Sequence, residues 1–146
     1  MSGRGANQPS VGGYNQAVIL EQIRRAGGLS RVELADATGL SAQTVSNISQ
    51  RLLEAGIIEE AGRIAVSTRR GKPRTILRLV GTSRYAVGVH LDPSVVTVVL
   101  LGIDATVLSR LRRPTPSVSD PAHTVRLITR QIDHLLDESG VERDRI

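Results

Sequence analysis

Hydrophobic residues recur at helical spacing in the first half of the chain and at strand spacing in most of the second half. Over residues 14–26, Val18, Ile19 and Ile23 fall on one helical face, which predicts a first helix. Residues 1–13 are rich in Gly and Ser and show no periodicity, which predicts a disordered tail.

Two further helices are predicted on either side of a short turn. Ser30 and Glu33 have the spacing of a capping box, which predicts a helix start, and Gly39 predicts the end of that helix. Ser41 is the predicted N-cap of a third helix that ends at Gly56. Two helices joined by a tight turn with a glycine have the spacing of a helix-turn-helix.

The third helix has two contrasting faces. Val45, Ile48 and Leu52 form an apolar stripe, whereas amides and hydroxyls occupy the opposite face. Such groups hydrogen-bond to base edges in the major groove of DNA, although an ordinary solvated surface would also accommodate them. The predicted DNA-binding residues of this helix are Ser41, Gln43, Thr44, Ser46, Asn47, Gln50 and Arg51.

A basic hairpin is predicted directly after this helix. Residues 57–60 and 74–80 have strand character, and residues 63–78 contain six cations and no acidic residue. A hairpin in this position is a wing, and its cations favour contact with phosphates over the alternative of a solvated hairpin tip. The predicted wing contacts are Arg69, Arg70, Lys72 and Arg74.

The second half of the chain predicts a small sheet and one helix. Residues 86–91, 95–102 and 106–112 read as three strands, and the second is central because it is the most continuously apolar. Asp120 followed by Pro121 predicts the start of an amphipathic helix. The fold class is therefore α+β, with one domain over residues 14–80 and another over residues 81–146.

The charge is divided unevenly between these domains. The formal net charge is +5, and residues 1–80 hold 11 basic and 6 acidic groups, whereas residues 81–146 hold 8 of each. The positive first half indicates an anionic partner, most simply nucleic acid. With two Tyr and no Phe or Trp, the chain lacks the stacking platforms typical of single-strand binders, so a DNA duplex is expected.

Several kinds of chemistry are not expected. The absence of Cys excludes disulfides, thiolate zinc sites and cysteine nucleophiles, and it suits a cytoplasmic protein, while no apolar run is long enough to span a membrane. His90 stands alone, and His123 and His134 are too far apart on one predicted helix to share a metal ion. No catalytic residue, cofactor or metal is predicted, and the chain is not expected to be an enzyme.

Three segments together resemble the N-terminal part of the ROK transcriptional regulators: LSRVELADATGLSAQTVSNISQRLLEAGIIEE, GKP at 71–73, and YAVGVHLDPSVVTVVLLGID. The resemblance implies a winged helix-turn-helix joined to an actin-like ATPase domain with a ribonuclease H-like fold. It also implies binding of operator DNA as an oligomer and a response to a sugar or sugar phosphate. The expected function is a sequence-specific, dimeric bacterial transcriptional regulator, a repressor of carbohydrate-related genes.

The sequence departs from the family pattern in three ways. Family wings usually carry Gly-Arg-Pro, whereas this wing has Lys72, which lacks the bidentate fork of arginine. In the kinase members a phosphate motif Asp-x-Gly-x-Thr occupies the places held here by His90, Asp92 and Ser94. An acidic side chain at the glycine position would repel phosphate, which disfavours nucleotide binding and a sugar kinase.

The third departure is length. The chain stops where the superfold adds a fourth strand, so residues 81–146 are expected to be a truncated domain of three strands and one helix. The sugar site, catalytic aspartate and zinc motif of the family are expected in the missing part. An alternative function is therefore an interaction protein that titrates full-length relatives by forming mixed oligomers.

Overall fold

The structure is a computed structural model that describes residues 8–64, 74–115 and 120–146. The chain divides into two compact units, Met1–Val80 and Gly81–Ile146. Each unit has its own hydrophobic core.

Three helices open the first unit: α1 (Gln8–Ala26), α2 (Arg31–Thr38) and α3 (Ala42–Glu54). All three are predicted from the sequence, but α1 begins earlier than expected. Residues 8–13, which the composition assigns to the tail, are helical, and residues 1–7 lie outside the described residues. Pro9 is compatible with this start because the first helical turn needs no backbone N–H donor.

The turn between α2 and α3 follows the sequence signals closely. The Ser30 side chain accepts a hydrogen bond from the Glu33 amide, and the Glu33 carboxylate accepts from the Ser30 amide, which completes the capping box. Gly39 ends α2 in the left-handed conformation (φ 69°), and Ser41 caps α3. The caps and the left-handed glycine thus define where α2 ends and where α3 begins.

Three antiparallel strands complete the first unit: β1 (Leu29–Ser30), β2 (Ile58–Ile64) and β3 (Arg74–Leu79), in the order β1-β3-β2. The sequence predicts β2 and β3 but not β1, which has only two residues. Gly28 allows the approach of β1 to β3, because its φ is +145° and a Cβ there would lie 2.8 Å from Cγ2 of Ile76. A larger residue would push these strands apart.

The core of the first unit draws on every helix and on the longer strands. Its eight buried members are Ile19, Ile23, Leu34, Val45, Ile48, Leu52, Ile58 and Leu77. Half-buried apolar residues, among them Leu29 and Leu40, pack around this cluster. α3 is therefore fixed along its apolar stripe, and its other face is left to solvent.

The second unit contains β4 (Tyr85–Leu91), β5 (Val95–Gly102), β6 (Val107–Pro114), α4 (Pro121–Ser139) and a 3-10 turn (Arg143–Arg145). The strands form an antiparallel sheet in the order β4-β5-β6, so the prediction of a central second strand is confirmed. Asp120 caps α4 through a hydrogen bond from the Ala122 amide, as predicted, and Gly140 ends the helix in the left-handed conformation.

Burial in the second unit is one-sided. Val96, Val98 and Leu100 of β5 are fully buried against Leu135 and Leu136 of α4. The alternate residues of β5, on the opposite face of the sheet, are only half-buried: Val95, Thr97, Val99 and Leu101. The continuous apolar character of this strand therefore matches complete burial on one face and partial exposure on the other.

Candidate nucleic-acid interface

The position of α3 defines the candidate interface. Val45, Ile48 and Leu52 have relative exposures of 0%, 3% and 1%, which confirms the predicted apolar stripe. Because a helix turns through about 100° per residue, burial of this stripe directs the opposite residues outward. Gln43, Ser46, Asn47, Gln50 and Arg51 are exposed, and Thr44 is half-buried.

The amides of this outward face are arranged by hydrogen bonds within the helix. Nε2 of Gln43 donates to Oδ1 of Asn47 at 2.8 Å. One turn later, Nε2 of Gln50 donates to Oε1 of Glu54 at 2.9 Å. The sequence pattern predicts that these residues share one face, but it does not predict the bonds between them. The spacing of four residues is the only signal that could have suggested them.

Ser41 and Thr44 have a structural role at the start of α3. Oγ of Ser41 accepts a hydrogen bond from the Thr44 amide at 3.2 Å, and the two hydroxyls lie 2.9 Å apart. Both side chains therefore stabilise the first turn. Ser41 remains exposed at the N-terminal end of the outward face.

The start of α2 is held by the capping box. Oε2 of Glu33 accepts from the Ser30 amide at 2.8 Å and from the Ser30 hydroxyl at 2.7 Å. These hydrogen bonds, with a smaller contribution from the positive charge of Arg74, lower the pKa of the Glu33 carboxyl from its ordinary value. The charged carboxylate therefore stabilises the helix that supports α3.

The wing is only partly described. Of its predicted phosphate contacts, Arg69, Arg70 and Lys72 lie outside the described residues. Arg74, the fourth, is exposed at the start of β3, and its charge acts on the nearby Glu33. Arg74 therefore belongs both to the base of the wing and to the surroundings of α2.

Acidic residues on β2 offset part of the positive charge on neighbouring elements. Glu59 pairs in register with Arg78 across the sheet, and Oε1 of Glu60 lies 3.6 Å from a guanidinium nitrogen of Arg31. A count of charges over residues 63–78 alone misses this balance, because the acidic residues lie on the partner strand.

The β4–β5 turn does not fit the phosphates of a nucleotide. Oδ1 of Asp92 accepts from the backbone amides of Ser94 and Val95, at 2.7 and 2.8 Å. These two hydrogen bonds lower the pKa of the Asp92 carboxyl. The carboxylate thus occupies the amide donors that an incoming phosphate would need, and its negative charge would repel that phosphate.

Several other titratable groups of the second unit form surface pairs. Nε2 of His90 lies 3.8 Å from Asp92, and His134 lies 3.6 Å from Glu138. Arg143 binds both Asp133, at 2.9 Å, and Asp137, at 3.6 Å. Within the described ranges, no group of three or more His, Asp or Glu side chains is placed to hold a metal ion.

Comparison with known proteins agrees with this geometry. Residues 16–59 match the winged helix-turn-helix DNA-binding family. A crystal structure of a ROK family transcriptional regulator, a homologue of the Escherichia coli MLC protein, superposes with a TM-score of 0.66. The alignment covers 89% of this chain and 32% of that one, at 18% identity. The chain therefore shares the fold of the matched third of that regulator.

Three curated proteins are also similar to this chain in sequence. An uncharacterized protein of Sinorhizobium fredii is 27% identical over 89% of this chain and 32% of its own length. A transcriptional regulator of Mycobacterium tuberculosis is 29% identical over 68% of this chain and 23% of its own. The DNA-binding transcriptional dual regulator NagC of Escherichia coli is 29% identical over 70% of this chain and 25% of its own. The chain thus spans about a third or less of the length of these relatives.

Among the helices of the described ranges, none has the length and apolar character needed to cross a membrane.

Proposed function

We propose that this chain is a sequence-specific regulator of transcription that binds double-stranded DNA. The observation that supports this function most is the outward face of α3, where Gln43, Ser46, Asn47 and Gln50 are exposed within a winged helix-turn-helix. Their amides and hydroxyls match the donors and acceptors of base edges, and an α-helix fits the major groove. In this proposal α3 is the recognition helix.

The other predicted contacts have different tasks in the proposal. Arg51 and Arg74, both exposed, contact phosphates from the two sides of the recognition face, together with Arg69, Arg70 and Lys72 of the wing. Ser41 and Thr44 form the N-terminal end of α3, where the positive end of the helix dipole and the exposed Ser41 favour contact with a phosphate. These contacts supply affinity, whereas the amides supply the choice of sequence.

The regulated genes and the assembly are part of the same proposal. One relative is named the N-acetylglucosamine repressor. That name supports repression of carbohydrate-related genes, in the cytoplasm, with a sugar as effector. No residue of this chain is assigned to the effector. A dimer would place two recognition helices on a two-fold symmetric operator, with half-sites about one helical turn apart.

A non-enzymatic role is also proposed. The rival function is a sugar kinase, because the implied superfold includes such enzymes. The Asp92 turn opposes it, since the carboxylate fills the backbone donors that would bind a nucleotide phosphate. Titration of relatives through mixed oligomers gains no comparable support from a specific contact.

Selection of bound duplexes from a random pool by the full chain tests the proposal. Enrichment of a common sequence, with affinity that falls steeply between about 50 and 200 mM salt, is the expected result. Recovery of a pool without any preferred sequence would overturn the proposal. A phosphotransfer assay with ATP and a panel of hexoses should show no turnover.

A further inference from the structure

The hydrogen bond between Gln43 and Asn47 joins two exposed amides on adjacent turns of α3. The donor is Nε2 of Gln43 and the acceptor is Oδ1 of Asn47. Gln43 lies in the capped first turn of α3, and Asn47 lies one turn further along, before Gln50. The bond favours one relative orientation of the two amides before any ligand binds, which reduces the conformational entropy lost on binding.

The direction of this bond determines which groups remain free. Asn47 keeps both N–H donors on Nδ2, because it uses only its oxygen in the bond. Gln43 keeps its carbonyl oxygen Oε1 and one N–H of Nε2, because the bond uses only one of the two N–H donors on that nitrogen. The pair therefore offers to solvent a donor from Asn47 beside an acceptor from Gln43, where an isolated amide would have to supply both.

A donor beside an acceptor matches one base in the major groove. Adenine presents the N7 acceptor next to the N6 donor. Guanine presents two acceptors, N7 and O6, so the carbonyl of Gln43 would face an acceptor there. Cytosine presents a single donor, and thymine presents an acceptor and a methyl group.

We propose that Gln43 and Asn47 recognise a single A·T base pair as one hydrogen-bonded unit, with Nδ2 of Asn47 donating to adenine N7 and Oε1 of Gln43 accepting from adenine N6. This inference rests on the proposed DNA-binding function and specifies the base that Gln43 and Asn47 select. The two residues determine one base preference together, and neither determines it alone.

The next pair along the helix provides a contrast. Gln50 and Glu54 have the same spacing, and a similar bond of 2.9 Å, but the acceptor is a carboxylate. A negative charge near the phosphates opposes close approach to the duplex. The neutral pair of Gln43 and Asn47 is therefore the one suited to lie deepest in the groove. Gln50, which is bonded to Glu54, is placed at the edge of the groove.

A double-mutant cycle on the full chain tests this unit. The measured quantity is the ratio of affinities for the enriched duplex and for duplexes in which one base pair is changed from A·T to G·C. Gln43→Ala and Asn47→Ala should each lower this ratio about tenfold at the same base pair, within the usual range for a bidentate contact. The double variant should lower it by the same factor, because one missing partner already disables the unit.

Two independent readers would behave differently. Their effects would multiply in the double variant or would fall on two different base pairs, and either result would overturn the inference. The inference would also be overturned if the unsubstituted chain preferred C·G or G·C at the base pair that the two substitutions affect. If the full chain enriches no sequence at all, the proposed function fails, and this outcome is distinct from the failure of the pair.

An isosteric variant separates the two tasks of Asn47. Asn47→Asp keeps an acceptor for the N–H of Gln43 but removes both donors to adenine, so the A·T preference should be lost although the bond within the helix persists. Retention of the preference would contradict the assigned donor. Thr129→Ala, on an exposed position of α4, is the matched control and should leave the preference unchanged. Unfolding midpoints should confirm that all variants are folded, since both positions are exposed.

Discussion

The two units of the chain bury their apolar residues in different ways. In the first unit, eight buried residues from three helices and two strands form the core, and the exposed side of α3 is polar. In the second, five buried residues lie between α4 and one face of the sheet, while Val95, Val99 and Leu101 stay half-buried on the other face. The first unit therefore buries the apolar stripe of α3 and exposes polar groups suited to DNA. The second unit keeps partly exposed apolar residues on one face of its sheet.

The charges follow the same division. All of the net charge of +5 belongs to residues 1–80, and residues 81–146 are balanced. Residues of the second unit also pair acid with base on the surface, as Arg143 does with Asp133 and Asp137. In the proposed function, DNA affinity and DNA specificity both belong to the first unit, and variants matched across the two units can test that proposal.

Truncation of matched core leucines should produce the largest effect. Leu77 of β3 and Leu100 of β5 are both fully buried, and replacement of either by Ala should cost about 2–5 kcal/mol of unfolding free energy in its own unit. Thermal unfolding of the full chain gives this cost. At temperatures that unfold the first unit of Leu77→Ala, this variant should no longer bind duplexes. Leu100→Ala should bind with the base preference of the original chain. Equal loss of the preference in both variants would contradict the division.

Neutralisation of the wing should have the next largest effect. Changing Arg69, Arg70 and Lys72 together to Gln should weaken binding to every duplex, because phosphate contacts carry no sequence information. The slope of log affinity against log salt should flatten by about 0.9 for each phosphate that the variant no longer neutralises. The matched control changes Arg110, Arg112 and Arg113 of β6 to Gln, which should leave the slope as it is. An unchanged slope in the wing variant would show that these three cations do not contact phosphates.

Replacement of buried polar side chains by apolar ones should have a smaller effect, and it should raise the unfolding free energy rather than lower it. Oγ of Ser49 in the first unit, and both polar atoms of the Gln131 side chain in the second, are buried without a hydrogen-bond partner among the described residues. Ser49→Ala and Gln131→Met should each raise the unfolding free energy of their unit by about 1 kcal/mol, because an unsatisfied buried group is costly. Chemical denaturation measures the change, and destabilisation by Gln131→Met would show that this amide has a partner.

The smallest expected effect is the acid sensitivity of the first unit. Hydrogen bonds from Ser30 lower the pKa of Glu33 in the folded state, so the stabilisation is fully present above the unfolded value of about 4.3. It is lost as the pH falls from there through the lower folded value. Glu33→Gln preserves an acceptor but does not titrate, and its stability should decline less over this window. If the unfolding free energies of the original chain and of Glu33→Gln changed in parallel with pH, Glu33 would not be the source of the acid sensitivity.

Local patterns predicted most of the fold. The apolar stripe of α3, the capping box at Ser30 and the turn at Gly39 depend on neighbouring residues, so periodicity and capping rules were sufficient. The strand β1 was not predictable, because two residues have no period and their pairing depends on the distant β3. The early start of α1 was missed because residues 8–13 have no apolar periodicity.

The candidate site was predictable as a face but not as an arrangement. The sequence placed Gln43, Asn47 and Gln50 outward, since burial of the opposite stripe fixes the helix rotation. The bond between Gln43 and Asn47 depends on side-chain rotamers, which residue types alone do not determine. The pairing of Glu60 with Arg31 depends on the tertiary fold and was likewise missed.

The most direct test of the central claim, that the outward face of α3 selects the DNA sequence, is to repeat the selection from a random duplex pool with Gln43→Ala and with Asn47→Ala. Both variants should still bind duplexes through the unchanged phosphate contacts, but the same A·T position should be lost from the enriched sequence. Enrichment of the original sequence by both variants, with that position retained, would contradict this claim.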